Sequence, residues 1–285
     1  MNKTLLIAAA ALAAGVISSQ AQVYSQNVVG YVNQVVPANS FQTVAGQLIN
    51  GSDASKTNGD INSALTGLVS DLNGPPSGSN TVVYLWDPVH QGVASFYYFN
   101  SADATYWQQG GPGGPTFPAG FYDSLGTALT FSLKPGIGVY LQNKFSAPIT
   151  VTSVGTVFQG TNVVVIQPGF QFLSYVAPVS GAPDSSNALG LPANLTSSNI
   201  GDQAHNDTIF VWDTIHQGVA SFQYFNSADA TYWEQGGPGG PTFPAGFYDS
   251  LGSSMPTTDY PQVNQGFYLY HNGAAINWTN VFSVQ

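Results

Sequence analysis

Two matching sets of polar side chains are the first candidates for chemistry in this chain. The first set comprises Asp87, His90, Asp103 and Asp123, and the second set, 126 positions later, comprises Asp213, His216, Asp229 and Asp249. Carboxylate oxygens are preferred ligands of Ca²⁺, so the six aspartates are candidate calcium ligands. Aspartates in turn-forming sequences also commonly accept hydrogen bonds from backbone N–H groups. The sequence favours this structural role and keeps a calcium site as the alternative.

Catalytic signatures are scarce. Glycoside hydrolysis uses a pair of carboxyl groups, yet the chain contains a single glutamate, Glu234. The G-x-S-x-G, H-E-x-x-H and P-loop motifs do not occur. The segment that begins at Asp123 resembles an aspartic-protease motif, but Leu125 stands where that motif requires glycine. We therefore expect a protein that is not an enzyme, and an Asp-dependent hydrolase is the least favoured interpretation.

Most of this polar chemistry lies in a segment that the chain contains twice. His90 to Gly126 and His216 to Gly252 are identical at 35 of 37 positions. The two differences are Tyr97/Gln223 and Gln108/Glu234. Either a functional constraint or a recent duplication explains such similarity.

Aromatic rings offer a second kind of chemistry, because rings on a rigid β face can stack against sugars. The two copies hold 17 of the 37 aromatic residues. Strand alternation places Phe96 and Tyr98 on one face and Tyr97 on the other, and the glutamine that replaces Tyr97 indicates a solvent-facing position. The same reasoning predicts that Gln108 and Glu234 are exposed and that Trp107 and Trp233 face the core. The candidate surface rings for carbohydrate binding are Tyr97, Tyr122 and Tyr248.

Short strands must position these residues. Runs rich in Val, Tyr, Phe and Thr alternate with clusters of Gly, Pro, Asn and Asp, a pattern typical of all-β sandwiches and barrels. The predicted strands are Asn27 to Val36, Phe41 to Leu48, Thr81 to Trp86, Val93 to Phe99, Gly138 to Asn143 and Ile149 to Phe158. One helix is expected after Asp60, with Leu65, Leu68, Val69 and Leu72 on one face. The repeats predict two tandem β-sandwich or barrel-like units with little helix, residues 22–158 and 159–285.

The first 21 residues have the features of a secretory signal peptide. Lys3 supplies the positive charge, Leu5 to Val16 is apolar, and cleavage is expected after Ala21. The apolar run is shorter than the roughly 20 residues of a spanning helix. The sequence therefore predicts export to the medium or the cell surface, with the periplasm as the alternative.

Composition limits the partners. Four Lys and Arg residues oppose 14 acidic residues, which gives a formal net charge of −10. This balance disfavours binding to nucleic acid or to anionic lipid. Hydrophobic residues make up 43% of the chain, enough for a folded core, and the absence of cysteine excludes disulfides and thiol chemistry.

Several phrases resemble a family of uncharacterised secreted tandem-repeat all-β proteins of environmental bacteria. They are NVVGYVN from Asn27, VVYLWD from Val82, LKPGIGVYLQN from Leu133, and VTSVGTVFQGTNVVVIQPGFQFLS from Val151. The resemblance implies an all-β repeat unit and no catalytic residues. The second unit departs from the pattern, because MPTTDYPQVNQG replaces the LKPGIG phrase there.

Together, these observations predict a non-catalytic structural or adhesive protein of the cell surface or secreted matrix. Its expected partners are polysaccharide or further copies of itself. The alternative is a carbohydrate-binding protein with one aromatic site per unit. We expect no membrane span, no nucleic-acid partner, and no cofactor other than the alternative calcium.

Overall fold

The computed structural model describes residues 29–49, 60–72, 78–87, 90, 92–111, 113–187, 189–198, 204–213, 218–235 and 241–283. The predicted signal peptide and His216 lie outside these residues. No helix among them is long and apolar enough to cross a membrane.

Strands dominate the regular structure, which confirms the all-β prediction. They are β1 (Val29–Val36), β2 (Ser40–Ala45), β3 (Leu48–Ile49), β4 (Leu65–Thr66), β5 (Val82–Asp87), β6 (Gly92–Phe99), β7 (Gly120–Tyr122), β8 (Gly138–Asn143), β9 (Ile149–Val157), β10 (Gly160–Ile166), β11 (Gly169–Ser174), β12 (Thr208–Asp213), β13 (Gly218–Phe225), β14 (Gly246–Tyr248), β15 (Gly266–His271) and β16 (Ile276–Phe282). The helices are α1 (Ile61–Ala64), α2 (Ser101–Gln109) and α3 (Ser227–Gln235), with a 3₁₀ turn at Thr257–Asp259.

The strands form two antiparallel five-stranded sheets with the same topology. The first sheet has the order β2-β8-β5-β6-β7, and the second sheet has the order β11-β15-β12-β13-β14. The first is accompanied by a smaller sheet in which β9 pairs with β1 on one side and with the short strands β3 and β4 on the other, and the second by the strand pair β10–β16. Although MPTTDYPQVNQG replaces LKPGIG, β15 pairs with β11 and β12 as β8 pairs with β2 and β5. None of these sheets closes on itself in the described part of the chain.

The helices differ from the prediction. Asp60 does cap a helix, because its side chain accepts a hydrogen bond from the Asn62 N–H, but α1 ends at Ala64. Leu65 and Thr66 pair with β9 instead, so the predicted longer amphipathic helix is wrong. Two nine-residue helices, α2 and α3, occur inside the duplicated segment, where no helix was predicted.

Strand alternation sorts the side chains of the first sheet as expected. Val83 and Leu85 of β5 are buried in the core of the first half, and Phe96 and Tyr98 of β6 pack against the same core. The prediction that these two rings face inward is therefore confirmed. A separate core of the second half includes Trp278, which is almost fully buried.

The outer faces of the two five-stranded sheets pack on each other through aromatic rings. Phe41 contacts Trp212, with ring centroids 5.9 Å apart. Phe170 and Trp86, which occupy the matching positions in the opposite halves, make the equivalent contact at 5.2 Å. This exchange of partners is the mark of an approximate two-fold axis between the halves. We call this aromatic interface the seam.

The two sheets approach each other closely at the centre of the seam. Tyr140 and Tyr268, which match each other in the two sheets, have ring centroids 5.2 Å apart. A Cβ atom at Gly138 would lie 2.8 Å from the Leu173 carbonyl oxygen, and one at Gly266 would lie 2.9 Å from the same oxygen. Both positions therefore require glycine, because the backbones approach too closely for a side chain.

Candidate functional site

Two of the six predicted aspartates build tight turns. Asp123 Oδ1 accepts hydrogen bonds from the N–H groups of Leu125 (2.9 Å) and Thr127 (2.8 Å). Asp249 Oδ1 makes the same two contacts in the second copy, with Leu251 and Ser253, both at 2.8 Å. These carboxylates stabilise the turn that follows β7 or β14.

Two further aspartates fix the start of a helix. Asp103 Oδ2 accepts hydrogen bonds from Ser70 Oγ and Asn100 Nδ2, each at 2.6 Å. In return, Asn100 Oδ1 caps α2 by accepting the Asp103 N–H at 2.8 Å. In the second copy, Asp229 accepts the corresponding bonds from Ser197 Oγ (2.7 Å) and Asn226 Nδ2 (2.6 Å). The pair therefore ties each helix to the loop that precedes β5 or β12.

The remaining aspartates end β5 and β12. Asp87 Oδ2 lies 2.5 Å from His90 Nδ1, and Asp87 Oδ1 accepts the His90 N–H at 3.2 Å. The His90 ring is largely exposed beyond this contact. Asp213 occupies the matching position at the end of β12.

The structure does not bring the predicted calcium ligands together. In the described part of the chain, no three side chains of His, Asp or Glu form a group that could hold a metal ion. Turn formation and helix capping account for the contacts of Asp103, Asp123, Asp229 and Asp249.

Two of the three predicted surface rings are buried. Tyr122 is 3% exposed and Tyr248 is 4% exposed, so the expectation that they face solvent is wrong. Their hydroxyls donate to the carbonyls of Pro118 and Pro244, each at 2.7 Å. Burial raises the pKa of both tyrosines, and in Tyr248 nearby Glu234 and then Asp184 raise it further.

The unpredicted helices explain this burial. Trp107 of α2 stacks flat on Phe99, with ring centroids 4.7 Å apart, and Tyr122 packs edge-on against both rings. Phe225, Trp233 and Tyr248 form the same cluster in the second copy. The prediction that Trp107 and Trp233 turn toward the interior agrees with these contacts.

Tyr97, Gln108 and Glu234 are half-buried. The Lys144 ammonium lies 5.2 Å from the centroid of the Tyr97 ring. Gln108 and Glu234, which were expected to be exposed, are partly covered because each packs against a turn glycine, Gly126 or Gly252.

Sequence reasoning missed apolar side chains that the duplicated segment presents to solvent. Leu125 is 90% exposed and Leu251 is 88% exposed at the tips of the aspartate turns. Tyr106 of α2 and Tyr232 of α3 are also exposed. These residues are identical in the two copies, so each half displays the same apolar features.

The two small strand pairs form a second unexpected surface. None of the residues of β1, β9, β10 and β16 is Asp, Glu, Lys, Arg or His. Their solvent faces nevertheless carry large apolar side chains: Tyr31, Val35 and Val154 in the first pair, and Val163, Val165 and Val281 in the second. Alternation of Val with Thr and Asn along these strands is the sequence signal that could have located both faces.

An apolar groove of about 230 Å³ opens at one end of the seam. It is lined by Trp86, Val93, Tyr140, Phe170, Phe210, Val219 and Tyr268. The Tyr140 hydroxyl and the neighbouring Trp212 indole N–H are buried and have no hydrogen-bond partner among the described residues. Burial, followed by the nearby Tyr268, raises the pKa of Tyr140, and burial raises the pKa of Tyr268 to about 12.

Comparison with known proteins found no matching family model, no similar curated protein and no similar solved structure. The resemblance to secreted repeat proteins therefore stays a prediction.

Proposed function

We propose that the mature chain is an exported, non-catalytic structural or adhesive protein that acts by associating with further copies of itself. One observation carries this proposal. The strand pairs β1–β9 and β10–β16 are free of ionisable side chains and expose valines on their outer faces.

Open strands of this kind invite pairing between chains. Soluble proteins commonly protect an edge strand with charged residues, proline or a covering element. Without such protection, unpaired backbone groups and an apolar face favour contact with a matching strand. The duplicated architecture gives each chain two such strand pairs, and two contact sites per molecule allow assemblies larger than a dimer.

Sedimentation velocity of the mature chain, over a wide range of concentration, tests the proposal. We expect concentration-dependent oligomers, with fibres or sheets visible by electron microscopy at the highest concentrations. A chain that stays monomeric throughout, and does not adhere to cells, would contradict this function.

Glycan binding is a second candidate, and the seam groove is the observation that favours it. Its walls are aromatic rings, which can stack on the apolar face of a sugar. Tyr140 also lines this groove and adds a further ring to its wall.

Retention on insoluble cellulose and chitin tests this second candidate. We expect the Trp86→Ala and Phe170→Ala variants to lose retention, because each removes a groove wall. Tyr106→Ala removes an exposed ring outside the groove and serves as the control. Equal retention of all three variants, or none by the wild type, would exclude the groove as a glycan site.

A further inference from the structure

The outer edge of β10 has no strand partner. β10 pairs with β16 along its whole length, from Gly160 opposite Phe282 to Ile166 opposite Ile276. In the described residues, no other strand pairs with β10 on its opposite side. The N–H and C=O groups of that side are therefore available to a further strand.

A groove of about 420 Å³ runs along this edge. It is lined by four consecutive residues, Asn162 to Val165, and by Lys134, Pro135, Ile137 and Phe158. Successive side chains of a strand point to opposite faces, so a groove that touches four in a row follows the edge rather than one face. The loop Lys134–Ile137 forms its far wall.

The loop that matches Lys134–Ile137 lies beside β1, where hydrogen bonds to two glutamine side chains hold it. Asn264, which matches Gly136 of the groove wall, donates from Nδ2 to Gln34 Oε1 at 3.1 Å and from its N–H to Gln47 Oε1 at 2.7 Å. Gly136 has no side chain, and a Cβ there would lie 2.5 Å from Val164 Cγ2. The described residues show no hydrogen bond between this loop and β10, and close packing of Gly136 on Val164 holds the loop there instead.

Polar groups near the groove also lack partners. Asn162 and Asn280 lie directly opposite each other in the β10–β16 pair. Asn280 is 1% exposed, yet neither its Nδ2 nor its Oδ1 has a partner among the described residues, and the same holds for Asn162 Nδ2. Buried amides without partners are costly, and of these two asparagines it is Asn162 that lines the groove where an added strand would lie.

We propose that the outer edge of β10 binds β10 of a second copy in antiparallel orientation. The union joins the two strand pairs into one four-stranded sheet with the order β16-β10-β10-β16. This inference rests on the proposed self-association and names the surface that performs it.

The composition of β10 argues for a second copy as the occupant. Its sequence, GTNVVVI, is rich in β-branched residues and has neither charge nor proline. This composition is typical of strands that pair with identical strands of other chains. Each copy carries a net charge of −10, so salt must screen their long-range repulsion before the two strands can meet, and association is expected to strengthen as ionic strength rises.

Single-cysteine variants of the mature chain test the pairing, because the natural chain has no cysteine. Antiparallel pairing about a two-fold axis near Val163 brings both copies of that residue within disulfide distance. Val163→Cys is therefore expected to give disulfide-linked dimers on mild oxidation. Val281→Cys is the control, because Val281 is also exposed but lies on β16, three strand spacings or roughly 14 Å from its counterpart. Equal cross-linking of the two variants would overturn the inference.

A charge variant separates this inference from the proposed function. Val163→Lys places two like charges opposite each other across the two-fold axis, and we expect it to lower the association constant about tenfold. Leu125→Lys, at an exposed apolar residue in the turn after β7, should leave association unchanged. If the wild type associates and the two variants behave alike, the β10 edge is excluded while self-association stands. If the wild type never associates, both proposals fail.

Discussion

At the residue scale, the duplicated segment isolates the contribution of one hydrogen bond. Gln108 Nε2 donates to the Gly126 carbonyl at 2.8 Å. Glu234 takes the same place in the second copy, where its Oε1 is buried and has no partner among the described residues. A carboxylate has no hydrogen to donate to the matching Gly252 carbonyl, so the second copy lacks this bond.

Exchange of the two residues should therefore change stability in opposite directions. Glu234→Gln restores the missing donor and is expected to raise the free energy of unfolding by about 1 kcal/mol. Gln108→Glu is the matched control and should lower it by a similar amount. Urea denaturation monitored by tryptophan fluorescence measures both changes, and shifts of the same sign would contradict the assignment.

At the scale of elements, a buried ion pair joins the start of β12 to the end of β15. His271 Nδ1 lies 2.7 Å from Asp207 Oδ2, and His271 Nε2 lies 2.8 Å from the Ala274 carbonyl. Asp207 also accepts the N–H groups of Thr196 and Asn272. Both ring nitrogens therefore lie at hydrogen-bond distance from an oxygen.

In the first half, uncharged side chains make the corresponding hydrogen bonds. Thr81 Oγ1 accepts the Val69 N–H at 3.0 Å, as Asp207 accepts that of Thr196. Asn143 Nδ2 donates to the Ala147 carbonyl at 2.8 Å, as His271 does to Ala274. Thr81 and Asn143 therefore make, with uncharged side chains, hydrogen bonds that match those of Asp207 and His271.

A double-mutant cycle tests this equivalence. Asp207→Thr alone leaves His271 buried without its carboxylate and is expected to cost about 3–5 kcal/mol of stability. Adding His271→Asn copies the first half and should recover most of that loss. Thermal or urea unfolding measures the cycle. If the double variant is as unstable as the single one, the two pairs are not interchangeable.

The strands were predictable and the helices were not, for a physical reason. Alternating Val, Tyr and Phe locates β5, β6 and β8 because one face of each strand is buried. No helix was predicted over Ser101–Gln109, because the strand-alternation reasoning applied to Tyr97 was extended to Gln108 and Trp107. The available signals were local: Asn100 followed three residues later by Asp103, and Gly110 in the left-handed region at the helix end.

The errors at the candidate site follow from that missed helix. Tyr122 looks exposed on a three-residue strand, but Trp107 on α2 and Phe99 cover it. The turn and cap roles of Asp123 and Asp103 were predictable because they depend on neighbours close in sequence. The seam and the β10 groove were not, because they are formed by residues more than 20 positions apart.

At the scale of the whole molecule, two similar halves meet across a seam that is only approximately symmetric. Asn264 donates hydrogen bonds to the Gln34 and Gln47 side chains beside β1, whereas Gly136, which has no side chain, packs on Val164 beside β10. The two halves therefore differ at the loops beside these two strands. The central claim is that the outer edge of β10 joins copies of the chain.

Amide hydrogen exchange of the mature chain at low and high concentration tests that claim most directly. We predict that peptides covering Gly160–Ile166 gain protection as concentration rises, because the free N–H groups of β10 become hydrogen-bonded in the joined sheet. Peptides from Gly218–Phe225, in the interior of the second sheet, should exchange equally at both concentrations. Exchange of β10 that does not depend on concentration would contradict the account.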